Sequence, residues 1–133
     1  MIRENFLKSL PDNYRNEKIF LLKSGFNNWY QLSQLSDSLI NGIIHKEPMC
    51  TESRLKKIRT IANFVFELDI SPHQAYILLH SGISSLEALS IHDPHILEKK
   101  IGRMKRKLNS KLDINISLKF LSDLILKAKK ILN

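Results

Sequence analysis

The chain has 133 residues, 43% of them hydrophobic and 26% charged, with 21 Lys and Arg against 13 Asp and Glu. That length holds one domain, or two small halves around one core, and that hydrophobic share excludes disorder over most of the chain. A formal charge of +8 favours polyanionic partners, nucleic acid first and an anionic membrane surface second.

Four glycines and four prolines suit a helical chain with short connectors. Residues 2–10 form a short expected helix carrying Phe6, Leu7 and Leu10, stopped by Pro11. A helix is expected over 14–23, with Ile19, Phe20 and Leu22 as apolar members. Gly25 then makes a turn, and Asn27 or Asn28 caps a short helix from about 28 to 35. Ser36 opens a third helix, with Asp37 in its first turn; Leu39, Ile40, Ile43 and Ile44 give it one apolar face before Pro48. Thr51 and Glu52 open a long helix to about Leu68, with Leu55, Ile58, Ile61, Ala62, Val65 and Leu68 at helical spacing. Phe64 and Phe66 are expected to widen its buried side, and Phe26, Trp29, Phe64 and Phe66 read as packing residues rather than base-stacking ones.

Ser71-Pro72-His73-Gln74 is a helix start, with Ser as cap, Pro at the first helical position and Gln at the third. That helix runs to His80, where Gly82 supplies the positive φ of a helix end. Ser84 is the expected cap of the next short helix, 85–91, with Glu87 completing a capping box. Asp93-Pro94 starts a helix to about Leu108, and a last helix is expected over about 116–132.

The segment 21–32 aligns without a gap on 78–89, at an offset of 57 residues. Leu21/Leu78, Leu22/Leu79, Ser24/Ser81, Gly25/Gly82, Phe26/Ile83, Trp29/Leu86 and Leu32/Leu89 keep their character. The expected architecture is all-α: tandem helix-hairpin-helix-like repeats, an internal duplication packed into one compact domain over 1–133. The first repeat spans about 14–68 and the second about 71–132.

The units Leu-Leu-x-Ser-Gly-[Ile/Phe]-x-x-[Leu/Trp]-x-x-Leu resemble the helix-hairpin-helix-like repeats of a family known as a domain of unknown function, common in cyanobacteria. The resemblance is best over 71–108 and weaker over 14–68. More distantly, the unit is similar to the C-terminal domain of the RNA polymerase α subunit, which binds DNA and regulators. The stricter DNA-binding hairpin carries Gly-x-Gly, whereas each copy here has one glycine. The resemblance implies a tandem helical fold, and a role in binding by analogy.

Charge is uneven along the chain. Residues 1–50 carry six basic and five acidic side chains, and 51–95 carry four and five. Residues 96–133 carry eleven and three, which accounts for the whole excess. Lys99, Lys100, Arg103, Lys105, Arg106, Lys107 and Lys111 follow one another with no acid between them. Leu97, Ile101, Met104 and Leu108 fall at i, i+4, i+7 and i+11, so this helix docks one side and presents a positive ridge on another. Lys56, Lys57 and Arg59 are candidates to extend it.

Two binding elements follow. Hairpin backbone amides at Gly25, Asn27 and Asn28 and at Gly82, Ser84 and Ser85 are placed to meet a phosphate. Lys99, Lys100, Arg103, Arg106, Lys107 and Lys111 would neutralise a sugar-phosphate backbone with little regard to sequence. A membrane is disfavoured because the apolar stripe faces the core and has no aromatic anchor.

Catalysis finds no support: there is no GxGxxG, P-loop, GxSxG or HExxH, and His92 with His95 lacks a third ligand. No cofactor, metal or small-molecule substrate is expected. The lone Cys50, read as a half-buried small residue, cannot form an intrachain disulfide, which fits a reducing compartment. No apolar run approaches the roughly 18–20 residues that span a bilayer, and residues 1–5 lack the character of a signal peptide. The expectation is a cytoplasmic, non-catalytic nucleic-acid-binding protein, with DNA ahead of RNA. The alternative is a helical adaptor for an acidic protein partner.

Overall fold

The computed structural model describes residues 6–8, 10–107 and 116–133. Leu108, Lys111 and most of the expected 2–10 helix lie outside them; Phe6, Leu7 and Lys8 form a turn. A single 3-10 turn, Asp12–Tyr14, leads into α1 (Arg15–Lys23), α2 (Trp29–Ser33), α3 (Asp37–Lys46) and α4 (Glu52–Leu68). There follow α5 (Pro72–His80), α6 (Leu86–Ser90), α7 (Pro94–Lys107) and α8 (Leu118–Leu132). The protein is all-α, with no strand among the described residues. The starts of α1 and α5, of α2 and α6, and of α3 and α7 are each 57 residues apart.

Side-chain caps set most helix starts. Asn28, Ser36, Thr51, Ser71, Ser85 and Ser117 each accept an amide hydrogen bond from the residue three positions on, at 2.9–3.2 Å. Asp93 Oδ1 does the same for α7, accepting from the amides of His95 and Ile96. Gln74 reaches back to the Ser71 amide, closing the capping box expected at α5. Each such cap contributes about 1 kcal/mol. The expected Ser84–Glu87 box does not form: Ser85 is the cap of α6, and its hydroxyl takes the Ala88 amide at 3.0 Å. With Ser85 as cap, Leu86 and Leu89 both turn inward.

α4 and α8 form the centre. α4 packs against α2, α3, α5 and α8, while α8 packs against α6 and α7; α5 also lies on α7. Leu21, Leu32, Leu55, Ile58, Ile61, Phe64, Leu78, Leu89, Leu97 and Leu121 are fully buried there. Each such side chain contributes roughly 1.5–3 kcal/mol through the apolar surface it hides.

Three polar contacts pin distant parts of the chain. Buried Glu17 accepts the Thr51 amide at 2.9 Å, fixing α1 to the start of α4. Cys50 is buried rather than half-buried, its thiol 3.8 Å from the Asn16 carbonyl. Lys127 of α8 donates to the Leu68 carbonyl at 2.9 Å, where α4 ends on Asp69 in the left-handed conformation.

Two expectations about burial need correction. Phe66 does not widen the inner side of α4; it is 49% exposed, and Leu39 on α3 is 48% exposed. At about 100° per residue, Phe64 and Phe66 point 200° apart, so only one can face the core. Phe26 and Trp29 are partly buried at its edge, Trp29 with its ring edge-on to Phe6.

Candidate nucleic-acid interface

Each hairpin is built by four residues that close a helix. Ser24 (φ −80°, ψ 0°) and Ser81 (φ −87°, ψ 4°) cap the helix ends, followed by Gly25 at φ +93° and Gly82 at φ +98°. The glycine amides bond to Leu22 and Leu79, and the next amides, of Phe26 and Ile83, reach back to Leu21 and Leu78 at 3.2 and 3.1 Å. This pair of bonds satisfies the carbonyls a helix end would otherwise leave open. A Cβ at either glycine would meet no atom within 4 Å, so the torsion and not crowding selects glycine.

The two turns part company one residue later. At the first, the Gln31 carboxamide accepts the Asn27 amide at 2.6 Å while Asn28 accepts the Gln31 amide at 2.9 Å. Asn27 and Asn28 therefore serve their own helix. At the second, Ala88 stands in the place of Gln31. Among the described residues nothing accepts from the Ser84 amide, and Ser84 itself is exposed. Among the described residues the Ser84 amide is thus open where the matching Asn27 amide is not.

The basic helix α7 divides as its pattern requires. Leu97 and Ile101 are buried, Met104 is half-buried, and Lys99, Arg103, Arg106 and Lys107 are exposed on the opposite side. Among the described residues none of these four cations forms an ion pair. Lys99, Arg103 and Arg106 border a shallow hollow of about 460 Å³ together with Gly102 and Glu98, the acid at its margin. Lys100 turns aside, its ammonium 3.3 Å from Nε2 of His92. Lys111 lies outside the described residues.

Of the three candidates to extend the ridge through α4, two are engaged within the molecule. Lys56 pairs with Glu52 at 2.9 Å, and Arg59 bonds Asp37 at 2.8 Å and the Leu35 carbonyl at 3.0 Å. The Arg59 hydrogen bond holds the Asp37 carboxyl below its ordinary value. Lys57 stays exposed and acts on His80, whose imidazole is held below its usual value by burial first and by this positive neighbour second.

Local sequence reading misses one exposed feature of the first half. Tyr30 of α2 lies against Phe66 of α4, ring centroids 4.8 Å apart and both half exposed. Its signal is the offset itself: the places of Tyr30 and Phe66 are taken by Glu87 and Asp123 in the second half, both exposed. The histidines do not assemble a centre. His45 and His92 contact carbonyls one turn back, and no group of three or more His, Cys, Asp and Glu among the described residues could hold a metal. No helix among the described residues is long and apolar enough to cross a membrane.

The family model described as Domain of unknown function (DUF4332) matches residues 12–131, and the chain belongs to that family. No curated protein and no solved structure matches it.

Proposed function

We propose that the protein is a non-catalytic nucleic-acid-binding protein that holds phosphates with little sequence preference. The observation that carries this reading is the outer face of α7: Lys99, Arg103, Arg106 and Lys107 exposed, without ion pairs among the described residues, on a helix whose other face is fixed in the core. Cations held on a rigid element and not neutralised from within release counterions when they meet a phosphate backbone, so binding is strong at low salt and falls as salt rises. The open Ser84 amide adds a neutral donor in the same half of the chain. The matched offsets of helices and hairpins support a tandem helix-hairpin-helix-like duplication. DNA in the cytoplasm is the favoured setting.

Charge reversal tests the reading. Fluorescence anisotropy of Arg103→Glu/Arg106→Glu should show affinity reduced on the order of tenfold or more for every sequence, with the log–log salt slope smaller by about 2. Affinity and slope equal to the wild type's would reject it.

A second reading, an adaptor for an acidic protein, draws on an apolar hollow of about 410 Å³ between the first hairpin and α3, floored by Phe20, Phe26, Leu39 and Ile43 with Lys46 at its edge. Pull-down with nuclease treatment separates the two: partners lost with nuclease support nucleic acid, and partners retained support the adaptor.

A further inference from the structure

The first half of the molecule carries a surface that narrows, given the nucleic-acid reading above, the kind of strand the protein takes. Tyr30 and Phe66 are 50% and 49% exposed, with their rings tilted 54° to each other. Tyr30 is also one wall of a hollow of about 410 Å³ whose other walls include Gly25, Phe26, Gln31 and Gln34. Phe66 braces the Tyr30 ring from the α4 side, leaving the ring half open to solvent.

The rim is chemically specific. Gln31 uses its carbonyl on the Asn27 amide, which fixes the side chain and leaves its amino group as a donor. Gln34 uses its amino group on the Ser33 hydroxyl, which leaves its carbonyl as an acceptor. An aromatic wall with one donor and one acceptor beside it matches the face and edge of a nucleobase. A base within a duplex has its faces covered by its neighbours, whereas an unpaired base can stack on a side chain. Beyond Phe26 lies the apolar hollow edged by Lys46, which gives the neighbouring nucleotide an apolar seat and a cation.

We propose that this hollow takes an unpaired base stacked on Tyr30, so that the protein prefers single-stranded nucleic acid to duplex, with the α7 ridge holding the backbone. The test is anisotropy with three labelled probes of equal length: oligo(dT), an abasic strand and a duplex. The wild type should bind oligo(dT) about tenfold more tightly than the abasic strand. Tyr30→Ser should abolish that difference and leave the abasic and duplex affinities unchanged, and Tyr30→Trp should restore it, circular dichroism checking the fold of each.

An abasic strand bound as tightly as oligo(dT), or a preference that survives Tyr30→Ser, overturns the inference; the Arg103→Glu/Arg106→Glu loss still stands on its own. Failure of the wild type to bind all three probes rejects the nucleic-acid reading and this one with it. A protein partner kept after nuclease treatment and lost in Tyr30→Ser assigns the hollow to a peptide and likewise overturns it.

Discussion

From Leu21 to Leu32 and from Leu78 to Leu89 the backbone follows one path, with the two glycine torsions 5° apart, at +93° and +98°. The outward side chains follow two. Where the first half places Tyr30 and Phe66, the second places Glu87 and Asp123. Where the second places Lys99, Arg103 and Arg106, the first places Gly42, Lys46 and Met49. A hairpin of this kind is specified by a glycine, a cap and a few buried leucines. The outward positions are left to carry different chemistry in the two halves. One half thus offers exposed rings, and the other offers charge.

If the two turns are mechanically equivalent, damage to either should cost the same. Leu21 and Leu78 are both fully buried, and both carbonyls accept the closing amide of their turn. Leu21→Ala and Leu78→Ala should each lower unfolding stability by about 3 kcal/mol in urea titrations. Costs that differ by more than the roughly 2 kcal/mol spread among buried Leu→Ala substitutions would break the equivalence. A smaller change probes the torsion alone: Gly25→Ala and Gly82→Ala should each cost about 1–2 kcal/mol, since an L-residue there is strained even with space for its methyl group.

The smallest effect should separate the halves. His80 ends α5, whereas the matching end of α1 is the exposed Lys23. Burial, then Lys57, lowers the folded pKa of His80 below 6.5, so the unfolded chain takes up this proton first. Stability from this group is therefore intact above about 6.5, is lost as pH falls through the folded pKa, and then levels off. His80→Gln should flatten that part of the urea midpoint between neutral pH and about 5, and an unchanged profile would remove His80 from the account.

Much of this is legible in sequence because the helices carry their own punctuation. Asn28, Ser36, Thr51, Ser71 and Asp93 mark starts, Gly25 and Gly82 mark stops, and the ridge of α7 follows from cations set against Leu97 and Ile101. The rest depends on tertiary choices. Ser84, with Glu87 three residues on, reads as the cap, yet Ser85 takes that place with Leu86 and Leu89 buried. Glu17 stands three residues after Tyr14, as Gln74 does after Ser71, but Tyr14 makes no side-chain cap. Its carboxylate instead serves Thr51, 34 residues further on, a partner no local pattern announces. Arg59 likewise looks like a free cation until α3 brings Asp37 to it.

Lys127 holds the carbonyl on which α4 closes, and α8 lies along α4 beside it. A chain severed after Asp69 would leave each fragment with a flank that the other fragment normally covers. What the peptide link there supplies is effective concentration: it keeps two mutually adhesive pieces within reach of each other, and out of reach of their copies on other molecules.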